Sequence, residues 1–439
     1  MNKIVIIGNG VAGISAALEI RSHTDDSITI VSDEHPYFYA RTGLMYVYMG
    51  IHPFESLEPF PRSYYKDKKI DCMLAHVENL NTSNRSIELN THANIHFDKL
   101  IIATGSKPNK LPIKNSEANG VLYFYSKQDL VALENHSKQC KNAIILGGGL
   151  IGIELAEMLS ARNINVTMII KEPHYWGNEL MPQEAAIIDE SLKENKIELR
   201  YSTTISEILT DPTHKVKGIW TSNHEMINCD LLCIAIGVSP NIEWLNHNTN
   251  ITKNKGILVN EYLETNQSGI YAIGDCAELK CYSQGRKNIE PIWYTARAMG
   301  ITVGKTISGR PTKYEQGIWF NSAKFFDVEY QCYGNVTKNN TEQITPLVWI
   351  SNDKKRTIRI NYNKQSNTFL GIVGINIRMR QEIIEKAINQ SISIKQFINS
   401  IEDYLMLQPF DKLALHILKI ELQSLLAEHS LLYKNIINT

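Results

Sequence analysis

The residues of this chain with the clearest chemical potential are glycines that recur with one spacing in two places. The spacing is G-x-G-x-x-G, formed by Gly8, Gly10 and Gly13 and again by Gly147, Gly149 and Gly152. The first glycine permits a tight turn, the second lets the backbone approach a pyrophosphate, and the third allows a helix to pack on a strand. N–H groups at a helix N-terminus stabilise the charge of such a pyrophosphate. The patterns therefore predict two dinucleotide-binding turns.

Each glycine turn lies between an apolar run and a run of small and apolar residues at helical spacing. A continuous apolar run is typical of a parallel strand that is buried on both faces. One such pattern is a weak signal, whereas two in the same context rarely arise by chance. We therefore infer an internal duplication of a nucleotide-binding unit. The order strand, helix, strand is predicted twice, at Lys3–Ile7, Ile14–Ile20 and Ser27–Val31, and at Ala143–Leu146, Ile153–Ala161 and Asn165–Ile170.

The residues after the second strand differ between the two predicted units. Asp33, with Glu34 as the alternative, follows the first glycine turn by the roughly 20 residues that place a carboxylate on a ribose hydroxyl. The second unit has Ile170-Lys171-Glu172 at the end of its strand, so an apolar residue stands where the acid would be. Lys171 is a candidate for contact with a 2′-phosphate. The sequence leaves the choice between NADH and NADPH open.

Composition excludes several classes of protein. The chain has 439 residues, enough for about three domains of roughly 150 residues each. Lys plus Arg total 45 and Asp plus Glu total 46, so the net charge of −1 argues against a nucleic-acid partner. The seven scattered cysteines lack the spacing of a disulfide-rich secreted protein. We expect a cytoplasmic protein without a transmembrane segment and without a metal site.

Further segments carry a resemblance to a known family. The later apolar strands end in Ala103-Thr104-Gly105 and Ile236-Gly237, and Gly269 to Asp275 reads Gly-Ile-Tyr-Ala-Ile-Gly-Asp. With the two glycine turns, these segments resemble the FAD-dependent pyridine nucleotide-disulfide oxidoreductase superfamily, whose members have two dinucleotide-binding domains. The likeness covers about residues 1 to 310.

The resemblance implies an α/β fold with two Rossmann-like domains, one for FAD and one for NADH or NADPH, and an α+β C-terminal domain. The implied domains are 1–112 with 240–310 for FAD, 113–239 for NAD(P), and 311–439 for the C-terminal domain with its helical tail. Asp275 is expected near the FAD ribityl chain, and Glu154 near the nicotinamide carboxamide. Besides these and the six glycines, the implied cofactor residues are Val11, Ala12, Asp33, Glu34, Arg41, Thr42, Ala103, Thr104, Gly105, Ile151, Lys171, Gly237 and Gly274.

The segment from Pro36 to Gly50 is expected to face the flavin. In thiol-dependent members of the superfamily one or two cysteines stand here, but this chain has no cysteine before Cys72. A thiol relay at this place is therefore excluded. The part from Tyr39 to Met45 instead resembles ferredoxin and rubredoxin reductases and the flavin domain of nitrite reductases. Met45 stands where many of these reductases have a lysine.

Three residues of this segment have expected roles. Arg41 is expected to hold an FAD phosphate or to polarise the pyrimidine end of the flavin ring. Thr42 and Gly43 are small enough for the backbone to lie flat against the ring. The five aromatic residues of the segment are expected mostly to fill the core, although they also wall the ring from water.

The sequence thus favours an enzyme in which NADH or NADPH reduces a flavin that passes electrons to a small iron-sulfur or rubredoxin-like protein. The alternatives are an NADH oxidase or peroxidase, and a flavin-binding interaction protein regulated by nucleotide. Lys354-Lys355-Arg356 and Arg359 are a candidate docking patch for an acidic redox partner. Asp411 to Ile436 has the apolar spacing of an amphipathic helix, expected to pack on its own domain or on the second subunit of a homodimer; attachment to a membrane surface is the less favoured alternative.

Overall fold

The computed structural model describes residues 1–245, 250–283, 285–406 and 412–437, with side chains described as far as residue 429. The chain forms two compact units. The first comprises Met1–Gly147, Glu154–Val166 and Ile205–Gln316, and the second comprises Gly148–Ile153, Thr167–Thr204 and Gly317–Thr439. The domain boundaries drawn from the sequence stay a prediction.

Strands and helices alternate around the two glycine turns, and runs of strands follow each of these regions in the first 240 residues. The strands are β1 Lys3–Ile7, β2 Ser27–Ser32, β3 Ile70–Leu74, β4 Val77–Asn81, β5 Ser86–Leu89, β6 Asn94–His96, β7 Lys99–Ile102, β8 Ser106–Pro108, β9 Val121–Tyr123, β10 Asn142–Leu146, β11 Asn165–Ile169, β12 Glu198–Arg200, β13 Ile205–Thr210, β14 Val216–Thr221, β15 Met226–Asn228, β16 Leu231–Ile234 and β17 Val238–Pro240. The helices are α1 Val11–His23, α2 Leu44–Tyr48, α3 Arg62–Asp67, α4 Lys127–Ser137, α5 Leu150–Ala161 and α6 Pro182–Glu194.

The remaining chain contains three short strands and a long helix, then a β-rich region, and ends in further helices. Its strands are β18 Ile257–Val259, β19 Ile270–Ala272, β20 Ala277–Leu279, β21 Phe320–Phe325, β22 Val328–Gly334, β23 Ile344–Ile350, β24 Thr357–Asn363 and β25 Phe369–Ile375. Its helices are α7 Trp293–Ile307, α8 Gln381–Asn389, α9 Ile394–Asn399, α10 Ile401–Tyr404 and α11 Lys412–Ile437. In the described part of the chain, no helix is long and apolar enough to cross a membrane.

The main sheet of the first unit is parallel and has the strand order β19-β7-β1-β2-β3. Strand β1 pairs with β2 through Ile4 and Ile28, and with β7 on its other edge. Helices α1 and α7 approach each other closely, since a Cβ on Gly300 would overlap the backbone of Ala12 and lie 2.9 Å from the Cβ of Ser15. This contact holds the helix that begins at the first glycine turn.

The second glycine turn follows a similar strand. In the first unit, β10 pairs in parallel with β16, and β16 pairs in parallel with β9. In the second unit, β11 and β12 form a parallel pair. The observed strands and helices confirm the fold class predicted from the sequence, and β1 has the predicted bounds.

The C-terminal part of the second unit is an antiparallel sheet of order β21-β22-β25-β24-β23. Helices α8 to α11 contribute Ile384, Phe397, Leu418 and Leu422 to its core. The aromatic, β-rich region and the helical tail predicted from the sequence are therefore present. The predicted first residue of the tail, Asp411, lies outside the described residues.

One side chain of the predicted docking patch was placed wrongly. Arg359 is only 1% exposed and pairs with Glu184, which is fully buried, at 2.7 Å between Nε and Oε1. It also donates to the carbonyl of Val336 at 2.6 Å. Arg359 lies within β24, whose side chains are nearly all buried. Only Lys354-Lys355-Arg356, in the turn before this strand, is exposed.

Candidate cofactor-binding site

Of the three glycines in the first turn, only one has room for a side chain. Gly8 has a φ of +107° and a Cβ there would overlap the carbonyl of Ala103, while a Cβ on Gly13 would overlap the carbonyl of Gly8. At Gly10 a Cβ would meet no atom within 4 Å. Gly10 is the N-cap of α1, so the opening lies at the positive end of the helix dipole, where an anion is stabilised.

The second glycine turn repeats this geometry. Gly147 has a φ of +129°, and a Cβ there would overlap the carbonyl of Ala235. Gly149 again faces space free of other atoms within 4 Å. Ile151 and Gly152 follow in the first turn of α5. Both turns thus combine one glycine required by the fold with one that leaves room for a ligand.

Asn9, between two glycines of the first turn, is a residue that sequence reasoning missed. Its side chain is buried and its Nδ2 donates to the carbonyl of Pro36 at 2.7 Å. Its Oδ1 is buried without a hydrogen-bond partner among the described residues. A buried unpaired acceptor is costly, so this oxygen is suited to a donor on a bound ligand. The only sequence signal was its place inside the glycine turn.

The two acids after β2 have different environments. The carboxylate of Asp33 is 59% exposed and its Oδ2 lies 2.9 Å from Nδ1 of His76. Glu34 instead accepts from Arg41 at 2.7 Å and from the backbone N–H of Lys127 at 2.8 Å. Burial alone would raise the pKa of Glu34, but Arg41 and these hydrogen bonds lower it below the ordinary value. Because Glu34 is fully engaged, Asp33 is the acid available to a ligand.

Arg41 is held in place by the protein. Its guanidinium pairs with Glu34, donates to the carbonyl of Tyr125 at 2.6 Å and lies 4.4 Å from the centre of the Tyr125 ring. Burial opposes its charge, but Glu34 more than offsets this and raises the pKa of Arg41. The structure therefore places Arg41 in an internal ion pair; its expected role toward FAD stays a prediction.

The segment from Pro36 to Gly50, called the flavin-facing segment after its expected role, contributes mainly buried side chains to the core. Phe38, Tyr39 and Tyr48 are buried, which confirms that most of its aromatic residues fill the core. A Cβ on Gly43 would overlap the end of the Leu57 side chain, so a larger residue here would displace that side chain. Thr42 is exposed and Met45 is buried.

A second cluster joins distant parts of the chain. Ser106 Oγ donates to Asp275 Oδ2 at 2.8 Å, although sequence reasoning did not select Ser106. Burial raises the pKa of Asp275, and the Ser106 hydrogen bond and the charge of Arg41 oppose this rise. Gly274, with a φ of +70°, would place a Cβ 3.1 Å from that of Ala12. The Gly-Asp motif thus lies beside the first turn of α1.

The strand ends predicted near the cofactor adopt tight backbone turns. Gly105 has a φ of +67° and Gly237 a φ of +95°. Thr104 Oγ1 donates to the carbonyl of Asn241 at 2.7 Å, and Ala103 is buried. The Ala103-Thr104-Gly105 closure, Asp275 and the first glycine turn therefore come together within the first unit, through β7, β19 and β1 of one sheet.

Glu154 on α5 lies close to the flavin-facing segment. Burial, and then the charge of Glu157, raise the pKa of Glu154 to about 7. Burial and the charges of Glu157 and Glu154 also raise the pKa of Tyr46 on α2. In addition, Arg162 Nε donates to the carbonyl of Tyr48 at 3.0 Å and its guanidinium lies 3.6 Å from the centre of the Tyr48 ring. The C-terminal part of α5 and Arg162, the residue just after it, therefore lie beside α2 within the first unit.

The cysteines differ in burial, and Cys233 and Cys276 are buried in the core. The thiol of Cys276 lies 3.4 Å from the carbonyl of Ile102 in the core, whereas Cys281 is exposed. Burial raises the pKa of the Cys233 and Cys276 thiols, which disfavours the reactive thiolate. Among the residues that the structure describes, no three His, Cys, Asp or Glu side chains are grouped so that they could bind a metal ion.

Comparisons with known proteins agree with this geometry. Residues 2–300 match the family model described as pyridine nucleotide-disulphide oxidoreductase. Rhodocoxin reductase of Rhodococcus erythropolis is 30% identical over 327 residues, which are 74% of this chain and 76% of the relative. NADH oxidase of Methanocaldococcus jannaschii is 25% identical over 421 residues, which are 91% and 92% of the two chains.

A solved structure shows the same fold. The NAD-dependent persulfide reductase from A. fulgidus superposes with a TM-score of 0.81 at 26% identity, covering 90% of this chain and 78% of the other. The residues fit FAD, because Gly10 leaves open space at a helix N-terminus and Asn9 presents an unpaired acceptor beside it. The chain therefore belongs to the pyridine nucleotide-disulphide oxidoreductase family, as an enzyme that uses FAD and NADH or NADPH.

Proposed function

We propose that this enzyme passes electrons from NADH or NADPH, through FAD, directly to a small redox protein of the iron-sulfur or rubredoxin class. The observation that carries the proposal is the flavin-facing segment, where Thr42 is exposed and no cysteine occurs. Threonine does not form a disulfide or a sulfenate, so electrons leave without a sulfur intermediate. Rhodocoxin reductase, the relative at 30% identity, is by its name a reductase of rhodocoxin.

The first glycine turn and its neighbours are proposed to hold FAD. The N-terminus of α1 at Gly10 receives the pyrophosphate, because N–H groups and the helix dipole stabilise its charge there. Asp33 accepts from ribose hydroxyls, and the Asn9 carbonyl accepts a further hydrogen bond. Asp275, oriented by Ser106, accepts from the hydroxyls of the ribityl chain.

The second glycine turn is proposed to bind the nicotinamide dinucleotide. Gly149 leaves the space for its pyrophosphate, and Ile151 and Gly152 lie in the helical turn after it. Glu154, the fifth residue of α5 and two residues after Gly152, accepts from the carboxamide N–H in its ionised form. Its proximity to Tyr46 supports a nicotinamide position next to the flavin-facing segment.

FAD, when bound, supplies the redox chemistry by accepting a hydride and releasing the electrons singly or in a pair. The protein itself contributes alignment and exclusion of water. The buried side chains of Met45 and Tyr48 anchor α2 in the core of the first unit. The ion pair of Arg41 and Glu34 fixes the segment that begins this surface.

The second candidate is an NADH oxidase, favoured by the M. jannaschii relative that matches 92% of its own length. The two functions are separated by acceptor. Purified enzyme reduced by NADH or NADPH under argon is mixed with a [2Fe-2S] ferredoxin, with rubredoxin or with oxygen. Reoxidation of the flavin is then followed by stopped flow at about 450 nm, a wavelength typical of flavins.

The proposal expects reoxidation by a redox protein at least about 100-fold faster than by oxygen at equal concentration, corresponding to about 2.7 kcal/mol in activation free energy. Faster reoxidation by oxygen, with water or peroxide as product, would replace it with the oxidase. Thr42→Cys is a matched control, because it introduces a thiol at an exposed position without changing the buried residues of the segment.

A further inference from the structure

The surroundings of the second glycine turn differ from those of the first in the residues that would meet the adenosine ribose. We infer that this enzyme selects NADPH over NADH, with Lys171 as the residue that binds the 2′-phosphate. This inference rests on the proposed binding of the nicotinamide dinucleotide at the second turn. It concerns which of the two nucleotides is used, and all of its evidence lies within the second compact unit.

An acid that would bind a free 2′-hydroxyl is absent from the end of β11. Ile170 stands there and is fully buried. Its side chain lies under the glycine turn, since a Cβ on Gly148 would be 2.8 Å from Ile170 Cγ2. Its backbone is also fixed, with the N–H donating to the carbonyl of Arg200 at 2.8 Å and the carbonyl accepting from Thr203 at 3.1 Å. A ribose hydroxyl at this edge of the turn would therefore find no side-chain acceptor at this position.

The next two side chains, Lys171 and Glu172, differ in their partners. Lys171 is exposed, and within the described residues it has no hydrogen bond or ion pair. Glu172 has its Oε1 3.2 Å from Nδ2 of Asn178, so this acid is drawn into its own loop. The ammonium of Lys171 is thus free for an anion, whereas the neighbouring carboxylate already has a partner.

The loop that carries Lys171 is held against the glycine turn. Tyr175 is fully buried, and its hydroxyl donates to the carbonyl of Gly149 at 3.3 Å. Lys338 donates to the carbonyl of Gly177, and Glu172 accepts from Ser202 through its backbone carbonyl at 3.1 Å. Ile170 and Tyr175 therefore both touch the turn, and Lys171, which lies between them in sequence, is kept at the same edge.

The other charges at this edge already have partners. Arg200 pairs with Glu198 at 2.6 Å, and Glu198 also accepts from Thr167 at 2.9 Å. His174 has its Nδ1 3.2 Å from the carbonyl of Tyr175. An additional phosphate would therefore meet an unpaired lysine and no unpaired carboxylate among these side chains, which favours the dianionic 2′-phosphate over the neutral hydroxyl.

The test uses the FAD-loaded enzyme and oxidised nucleotides, so that binding is measured without turnover. Isothermal titration gives the dissociation constants of NADP⁺ and NAD⁺, and of the fragments 2′,5′-ADP and 5′-AMP. Wild type is expected to bind NADP⁺ and 2′,5′-ADP at least about tenfold more tightly than their counterparts, since charge-assisted hydrogen bonds are the strong ones. Lys171→Ala is expected to remove about tenfold of this preference and to leave NAD⁺ within about twofold.

Two further variants sharpen the result. Lys171→Glu is expected to reverse the preference, because it places a carboxylate where a 2′-hydroxyl donates. Lys193→Ala, which removes an exposed lysine of α6 in the same unit, is expected to change neither affinity. Tighter binding of NAD⁺ by wild type, or equal loss of both nucleotides in Lys171→Ala, would overturn the inference while the proposed function stands. Failure of both NADH and NADPH to reduce the bound flavin would instead overturn the proposed function.

Discussion

The two glycine turns of this chain share one backbone design and differ in the residues that come after their second strands. In both, the first glycine has a positive φ and packs against the carbonyl of a neighbouring strand end, Ala103 in one case and Ala235 in the other. In both, the second glycine faces open space. After β2, however, the exposed Asp33 is the residue near the turn, whereas after β11 the buried Ile170 and the exposed Lys171 take that place.

This difference indicates that the glycine turn and the residue after the second strand can vary independently. The fold determines the first glycine, because its conformation and its neighbour exclude any side chain. The second glycine has no packing partner that requires its identity, so we propose that a bound ligand determines it. Under this proposal, duplication preserves the turn that would bind a pyrophosphate, while the charged residue after the second strand changes from Asp33 to Lys171.

The largest expected effect comes from the first glycine of each turn. Gly8→Ala and Gly147→Ala force a Cβ into a carbonyl oxygen at a positive φ, and each is expected to lower the free energy of unfolding by about 3 kcal/mol or more. Urea unfolding of the protein without FAD, followed by circular dichroism, measures this loss without the stabilisation that bound FAD adds. Gly10→Ala and Gly149→Ala are the matched controls, expected to stay within about 1 kcal/mol of wild type. Equal losses in all four variants would show that the two glycines of a turn do not have separate roles.

The second glycines are expected to separate the two ligands. Gly10→Ala places a methyl group where the FAD pyrophosphate approaches, and the affinity for FAD is expected to fall about 100-fold, or about 2.7 kcal/mol. Gly149→Ala is expected to keep FAD, and therefore the yellow colour, but to weaken the nicotinamide nucleotide by a similar factor. Fluorescence titration of the apoprotein with FAD and calorimetry of the FAD-loaded enzyme with NADP⁺ measure the two affinities. Loss of FAD in Gly149→Ala would contradict the assignment of the turns.

Local patterns in the sequence predicted the strands and helices that flank the two glycine turns, because neighbours in sequence determine them. The helix α1 begins at Val11 and not at the predicted Ile14, since Gly10 already acts as its N-cap. The missed contacts join distant segments. Ser106 and Asp275 are 169 residues apart, and Arg359 and Glu184 are 175 apart. No periodicity or spacing reports such pairs, so a buried arginine within a buried strand was taken for part of a surface patch.

A smaller effect is expected from the acids after β2. Asp33→Asn removes the proposed ribose acceptor charge at an exposed position and is expected to weaken FAD about tenfold. Glu34→Gln is the informative counterpart, because Glu34 is paired with Arg41 and is expected to act through the position of the flavin-facing segment. Its loss is expected to lower thermal stability by several degrees more than Asp33→Asn does. Fluorescence titration with FAD and thermal melts distinguish the two; a stronger effect on FAD from Glu34→Gln would make Glu34 the ribose acid.

The smallest expected effect is the pH dependence that Glu154 confers. Burial, and then the charge of Glu157, raise its pKa to about 7, so the carboxyl is protonated below that pH and ionised above it. If the ionised form accepts from the nicotinamide carboxamide, the affinity of the FAD-loaded enzyme for NAD⁺, which has no titrating 2′-phosphate, rises about twofold to fivefold from about pH 6 to about pH 8. Glu154→Gln keeps an acceptor oxygen without titrating, so its affinity is expected to be constant over this range. Glu157→Gln, which removes the neighbouring charge, is expected to move the rise to lower pH. A pH profile in Glu154→Gln identical to that of wild type would remove Glu154 from the nicotinamide site and leave the second turn with its backbone and Lys171 alone.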